Sequence, residues 1–394
     1  MGWFNNAENH LPLATGPFVP GMIDVLTSYE RENPIFRLYY PSDESSDQEQ
    51  SPNRWKNWLL DESYLKGISK VLMLYPFIMK LVFWWSAKTK IPAIYGARII
   101  RNKKLKCIVL SHGLGGNRFL YTNICCELAS RGFLVVALEH RDNSASNTYY
   151  YENKSDAERD FKKTIEFKHI KLGKEHHNVR YEQIKARFSE CERVLHFLKN
   201  LERNIVPENI LDHTPSHKNK NYQFKLDDLA GNVDLEGLCM MGHSFGGATA
   251  LYTLSKRSEF KVGVLLDPWM FPVKNENLEE KITQPLLFIN TQTFHIAANV
   301  DAMSKLLSSD CVRNMYTIKH TTHENQTDSV LLIGYWLNWF MKKLDPLVAL
   351  RINNSLIFTF LNKHINFPND VTECEQLLEK EAVNVEEGLT KPWA

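Results

Sequence analysis

The sequence predicts an α/β fold in which helices cover both faces of a mostly parallel sheet. Two apolar runs, "KCIVLSHG" and "FLVVALEH", flank a helical stretch that ends on Gly132, and the same strand, helix, strand punctuation recurs after Leu238. The 394 residues, 43% of them hydrophobic, suffice for one large domain of this kind. We see no internal repeat and no linker, so the chain reads as a single domain, residues 1–394.

Taken in order, residues 1–30 are rich in Pro, Gly and Asn and read as an irregular lead-in. "IFRLYYP", Ile35 to Pro41, reads as the first strand, and the polar stretch 42–53 as a surface loop. The apolar run 71–85 is shorter than the roughly 20 residues of a membrane span and is broken by Pro76 and Lys80. It reads either as a buried helix or as a helix lying on a membrane surface. From Ile99 the chain alternates strands and helices.

Residues 151–178 are highly charged and predict exposed helix and loop. Residues 181–201 predict an amphipathic helix with Ile184, Phe188, Cys191 and Leu195 on one stripe. A polar insertion follows at 203–228. Then come strands in "LCMMGHS", "VGVLLDPW", "PLLFINT" and "NMYTIKHTTHEN", and residues 371–394 read as a tail.

Charge and cysteine content narrow the function. The formal net charge is +1, with both signs interspersed, which argues against a nucleic-acid partner. Seven scattered cysteines without CxxC spacing read as reduced core thiols rather than a disulfide framework or a zinc site. The first residues lack the charged and apolar regions of a signal peptide, so an intracellular, cytoplasmic location is expected. Of three N-x-S/T triplets, at Asn153, Asn325 and Asn353, the second adjoins a candidate catalytic histidine, where a glycan would obstruct. Gly2 raises N-myristoylation, but Asn6 stands where that pattern wants Ser or Thr, which leaves anchoring open.

"GHSFG", Gly242 to Gly246, satisfies G-x-S-x-G between an apolar strand and a helical run. A serine at such a corner is held in an unfavourable backbone conformation that lifts its hydroxyl clear, and the flanking glycines leave the room this needs. Ser244 is therefore the expected nucleophile, the alternative being a helix-cap serine. On an α/β-hydrolase fold the acid follows the serine and the histidine comes last. Asp267 closes the strand "VGVLLD" and suits the acid better than Asp301, Asp310 or Asp328. His320 and His323 both follow the last strand, and position separates them weakly; His295 precedes it. The turn "SHGLGG", Ser111 to Gly116, is the expected second half of an oxyanion hole, whose donors would be the N–H groups of Leu114 and Phe245.

Residues 110–150, together with "MGHSFGGATA", "LLDPWMFP", "QPLLFINT" and "HENQTD", resemble the platelet-activating factor acetylhydrolases of the plasma and intracellular type II group. The resemblance runs from about residue 14 to 367, and "EHRDNSASNTYY" is its most specific stretch. It implies a triad of Ser244, Asp267 and His323, and so chooses His323 over His320. It further implies a calcium-independent phospholipase A2 without cofactor or metal, releasing short or oxidised sn-2 acyl groups from phospholipids. By resemblance, two apolar segments would touch the membrane, through Phe83, Trp84 and Trp85 and through Trp336, Trp339 and Phe340. A thioesterase, a transacylase or another serine esterase on the same fold is the rival reading, and a non-enzymatic lipid carrier a more distant one.

Overall fold

The computed structural model describes residues 9–44, 54–84, 86, 88–101, 103–218, 220, 222–294, 296–307, 310–334 and 342–388. Its centre is a parallel block of six strands: β5 (Leu105–Ser111), β6 (Leu134–Glu139), β9 (Val233–His243), β10 (Val262–Leu266), β11 (Leu286–Thr291) and β12 (Arg313–Ile318). Antiparallel strands extend it on one side. There β2 (Ile35–Pro41) pairs with β6, and β1 (Pro20–Val25) pairs with β2. Beyond them β4 (Lys90–Tyr95) pairs parallel with β1 and antiparallel with β3 (Trp55–Asn57). On the other side β13 (Val385–Glu387) closes the order β13-β12-β11-β10-β9-β5-β6-β2-β1-β4-β3.

The central strands are mostly buried because both faces are covered, β6, β10 and β11 along their whole length. Along β5, Cys107 and Val109 face one layer, with Ile184, Cys191 and Leu195 of the helix His176–Glu202 and Leu251 of the helix Phe245–Leu254. Ile108 and Leu110 face the other, with Ile124 of the helix Thr122–Ser130 and Ile357 of the helix Pro346–Ile365. The expected helical stripe is thus the buried one, with Phe188 packed at its edge.

Several expectations need correction. The lead-in contains strand β1, and the tail contains the helix Thr372–Lys380 and edge strand β13, too short and polar to show a period. The charged stretch 151–178 does not stay helix and loop: β8 (Lys163–Glu166) pairs with β7 (Asn147–Tyr150) in a separate two-stranded sheet, with Ile165 and Phe167 buried. The insertion 203–228 packs inward through Ile210 and Leu211, and Asn209 accepts the Leu26 N–H at 3.0 Å. Strand β4 was obscured by Pro92, which stands opposite an irregularity in the ladder with β3, where a missing N–H costs least. Six of the seven cysteines are buried, and all are free.

Candidate active site

Ser244 sits where β9 turns into the helix Phe245–Leu254, at φ 56 and ψ −118, a conformation that costs a residue with a side chain about 1–3 kcal/mol. Its N–H donates to the Leu266 carbonyl at 2.9 Å, and its side chain makes no capping bond, so it is not a helix-cap serine. A side chain on Gly242 would collide with the Gly246 carbonyl, and one on Gly246 with the Ser111 carbonyl. Close approach of three backbone segments is therefore why both positions are glycine. Ser244 keeps 9% of its surface exposed.

Asp267 follows the end of β10, itself at φ 43, and is buried. Its carboxylate accepts the Thr291 N–H at 2.6 Å, the Thr291 hydroxyl, and Nδ1 of His323 at 2.9 Å. With Nδ1 donating to the carboxylate, the lone pair of His323 is left on Nε2. The imidazole lies between two rings, Phe294 at 3.9 Å and His243 at 4.4 Å between centroids. A quarter of its side chain remains exposed, 25%, yet burial pushes its pKa below the usual histidine value and keeps it neutral.

The loop that carries His323 is braced from within. Asn325 accepts the Thr322 N–H at 2.7 Å and is buried, as is Asn353 in the C-terminal long helix. Asp328 reaches the start of the helix Thr122–Ser130, accepting the N–H groups of Thr122 (2.8 Å) and Asn123 (3.0 Å) and the Trp58 indole N–H (2.8 Å). His320 stands apart, its N–H donating to Gln292 Oε1 at 2.6 Å, and His295 lies outside the described residues.

The turn Ser111–Gly116 lies against the elbow: a Cβ placed on Gly113 would be 3.2 Å from Ser244 Cβ. Within it, the Gly113 N–H donates to the Tyr121 hydroxyl, Gly115 to the Ser144 carbonyl and Gly116 to the Gly113 carbonyl. The Leu114 N–H makes no hydrogen bond among the described residues. Phe245 opens its helix, and its N–H is one of the four that have no acceptor inside a helix.

Sequence reasoning missed the supports behind this turn. The Tyr121 hydroxyl, having accepted from Gly113, contacts His243 Nδ1 at 2.9 Å. Ser111, His140 and Glu190 form a sealed chain, Ser111 Oγ to His140 Nε2 at 2.7 Å and His140 Nδ1 to Glu190 at 2.5 Å. They are the residue types of a triad, but buried beyond any substrate's reach. Arg187 joins the Asp142 carboxylate (3.0 Å) and the Ser144 hydroxyl to the His112 carbonyl (2.7 Å). Part of this framework, His140, Asp142 and Ser144, lies in "EHRDNSASNTYY", the stretch most specific to the resemblance.

Met73, Tyr75, Phe77, Leu81 and Trp84 are exposed on the helix Pro76–Val82 and its approaches. Phe83, expected among them, is instead 5% exposed and stacks on Trp58, because it faces the sheet side of this short helix. Trp85, Trp336, Trp339 and Phe340 lie outside the described residues. Among the described residues no helix is long and apolar enough to cross a membrane.

Comparison with known proteins fits this arrangement. A family model described as "Platelet-activating factor acetylhydrolase, isoform II" matches residues 4–385. The platelet-activating factor acetylhydrolase of Gallus gallus is 34% identical over 389 residues, covering 96% of this chain and 89% of its own. That of Bos taurus is 33% identical, covering 98% and 84%. A ferulic acid esterase from Streptomyces cinnamoneus superposes with a TM-score of 0.59 at 15% identity, over 91% of this chain and 93% of its own. That likeness speaks to the fold alone, which is the α/β-hydrolase fold. On the match of almost its whole length and on relatives a third identical throughout, the chain belongs to the platelet-activating factor acetylhydrolase, isoform II, family.

Proposed function

We propose that the protein is a serine phospholipase A2 of the acetylhydrolase type, cleaving short or oxidised sn-2 acyl groups from platelet-activating factor and related phospholipids. The observation that carries this is the strained Ser244, flanked in sequence by His243, whose ring packs 4.4 Å from that of His323 in the Asp267–His323 pair, in a chain of this family. Ser244 Oγ attacks the sn-2 carbonyl while His323 Nε2 takes its proton, and Asp267 stabilises the imidazolium that forms. The N–H groups of Leu114 and Phe245 receive the oxyanion. The imidazolium returns its proton to the departing glycerol oxygen, lysophospholipid leaves, and water, deprotonated by the same histidine, hydrolyses the acyl-enzyme. Every step uses this chain's own groups, so neither calcium nor another cofactor is required.

The exposed apolar side chains from Met73 to Trp84 support docking at a membrane surface, where each would leave water for lipid. Behind them an apolar cavity of about 190 Å³, lined by Val71, Phe83, Gly115, Leu120 and Val330, runs to the oxyanion turn. The test is sn-2 release, without calcium, from phosphatidylcholines running from acetyl to long acyl chains, with Ser244→Ala as control. Release that is fast for acetyl, falls with length and vanishes in the variant supports the reading. Cleavage of a small ester but of no phospholipid would keep the serine esterase and overturn the substrate. Acylated product on adding an acceptor lipid would favour a transacylase.

A further inference from the structure

Five arginines are buried among the described residues: Arg37, Arg118, Arg141, Arg180 and Arg187. Three have carboxylates in direct contact, Arg37 on Asp24, Arg118 on Asp24 and Glu139, and Arg187 on Asp142. Arg141 is wrapped by the backbone carbonyls of Glu30, Arg31, Asn33 and Tyr149. Arg180 has neither. It is 4% exposed, donates from Nη1 to Gln183 Oε1 at 2.8 Å, and makes only a long contact from Nε to His176 at 3.4 Å. Its Nη2 makes no hydrogen bond, yet it is not one of the sealed unpartnered atoms, so it opens on accessible space.

The Asp142 carboxylate, whose charge reaches Arg180, is already paired with Arg187, and a guanidinium taken out of water with no anion in direct contact is costly, a cost that a fold tolerates where an anion arrives later. Burial lowers the pKa of Arg180 to about 10, which still leaves it charged at neutral pH. Its position says where that anion would come from. The guanidinium lies 5.9 Å from the ring of Phe245, next in sequence to Ser244, and 5.8 Å from the ring of Trp269, whose N–H donates to the Ser244 carbonyl. Gln183 and His176 hold two of its edges, so the free edge is presented in one orientation.

We propose that Arg180 is a substrate-binding residue that receives an anionic group of the lipid beside the nucleophile. This rests on the phospholipase reading above. Two anions qualify: the phosphodiester a few bonds from the sn-2 ester, or a terminal carboxylate on an oxidised sn-2 chain. Both match a charge-assisted hydrogen bond from Nη2.

The experiment compares wild type, Arg180→Gln and Arg180→Lys on matched pairs in identical detergent micelles. One pair is 1-alkyl-2-acetyl-glycerophosphocholine against 1-alkyl-2-acetylglycerol, which lacks the phosphate. The other is phosphatidylcholine carrying sn-2 glutaroyl against sn-2 pentanoyl, which lacks the carboxylate. The expected result is a loss of kcat/KM, carried by KM, roughly tenfold to a hundredfold larger on the anionic member of one pair, with partial recovery in the lysine variant. Loss in the first pair identifies the phosphate, and loss in the second alone the carboxylate. Equal losses on anionic and neutral members, or no loss, would overturn the proposal and leave Arg180 a packing residue. Failure of the wild type to cleave any of these phospholipids, while p-nitrophenyl acetate is cleaved through Ser244, would overturn the phospholipase reading and this inference with it.

Discussion

Asp267 and His323 stand 56 residues apart in sequence and meet at 2.9 Å, with the second donor pair on the carboxylate supplied by Thr291. The aspartate is fixed by strand β11 as well as by its own strand. Its orientation therefore owes little to the histidine.

On that geometry, Asp267→Asn should lower kcat by roughly 10⁴-fold while leaving the fold intact, because an amide donates toward Nδ1 and favours the wrong tautomer. Steady-state kinetics with a circular dichroism melt measures both. A loss below tenfold would remove Asp267 from the proposed triad.

Ser244→Gly should abolish turnover and raise stability by about 1 kcal/mol, since glycine adopts φ 56 without the strain that serine bears. Urea titration of the two proteins reads the difference. An unchanged or lower stability would show that the elbow conformation is not under strain.

The pH dependence follows from the depressed His323. Its neutral form is the base, and a lowered pKa means that protonation sets in only at more acid pH. The acid limb of kcat/KM should thus fall below the free imidazole value of about 6.5. A limb at or above that value would mean that the Asp267 charge outweighs burial.

Tyr121→Phe should destabilise the protein by about 1–3 kcal/mol, because the buried Gly113 N–H loses its acceptor and His243 Nδ1 its partner. Activity should fall along with stability, since the same bond holds the oxyanion turn. Thermal unfolding and kinetics of the purified variant test the pair of effects.

Phe77→Glu and Leu81→Glu should each weaken binding to phosphatidylcholine vesicles by at least about tenfold, the apolar transfer of one such side chain being about 1.5–3 kcal/mol. Hydrolysis of a water-soluble short-chain ester measured alongside reports on the site itself. Unaltered vesicle sedimentation would mean that this exposed surface faces something other than lipid.

How much was legible varied with the kind of constraint. The nucleophile corner was readable because its requirements are local: a strand, a helix and two glycines within five residues. Asp267 was readable because it ends a strand. Position separated His323 from His320 only weakly, and the resemblance chose between them. In the fold, it is the ring positions of His243 and Phe294 and the carboxylate of Asp267 that converge on His323.

What the sequence by itself determined was the α/β order of the central strands and the elbow, since period and glycine spacing are properties of neighbouring residues. Only the tertiary structure decided the rest. Strands β1, β4 and β13, outside the central parallel block, take their form from the sheet they join rather than from their own pattern. Phe83 turns inward while Trp84 turns out, a choice made by which face of a short helix meets Trp58. That no carboxylate among the described residues touches Arg180 appears only once every distant segment has been brought to its place, because ionic pairing in a core is set by contacts between residues far apart in the chain.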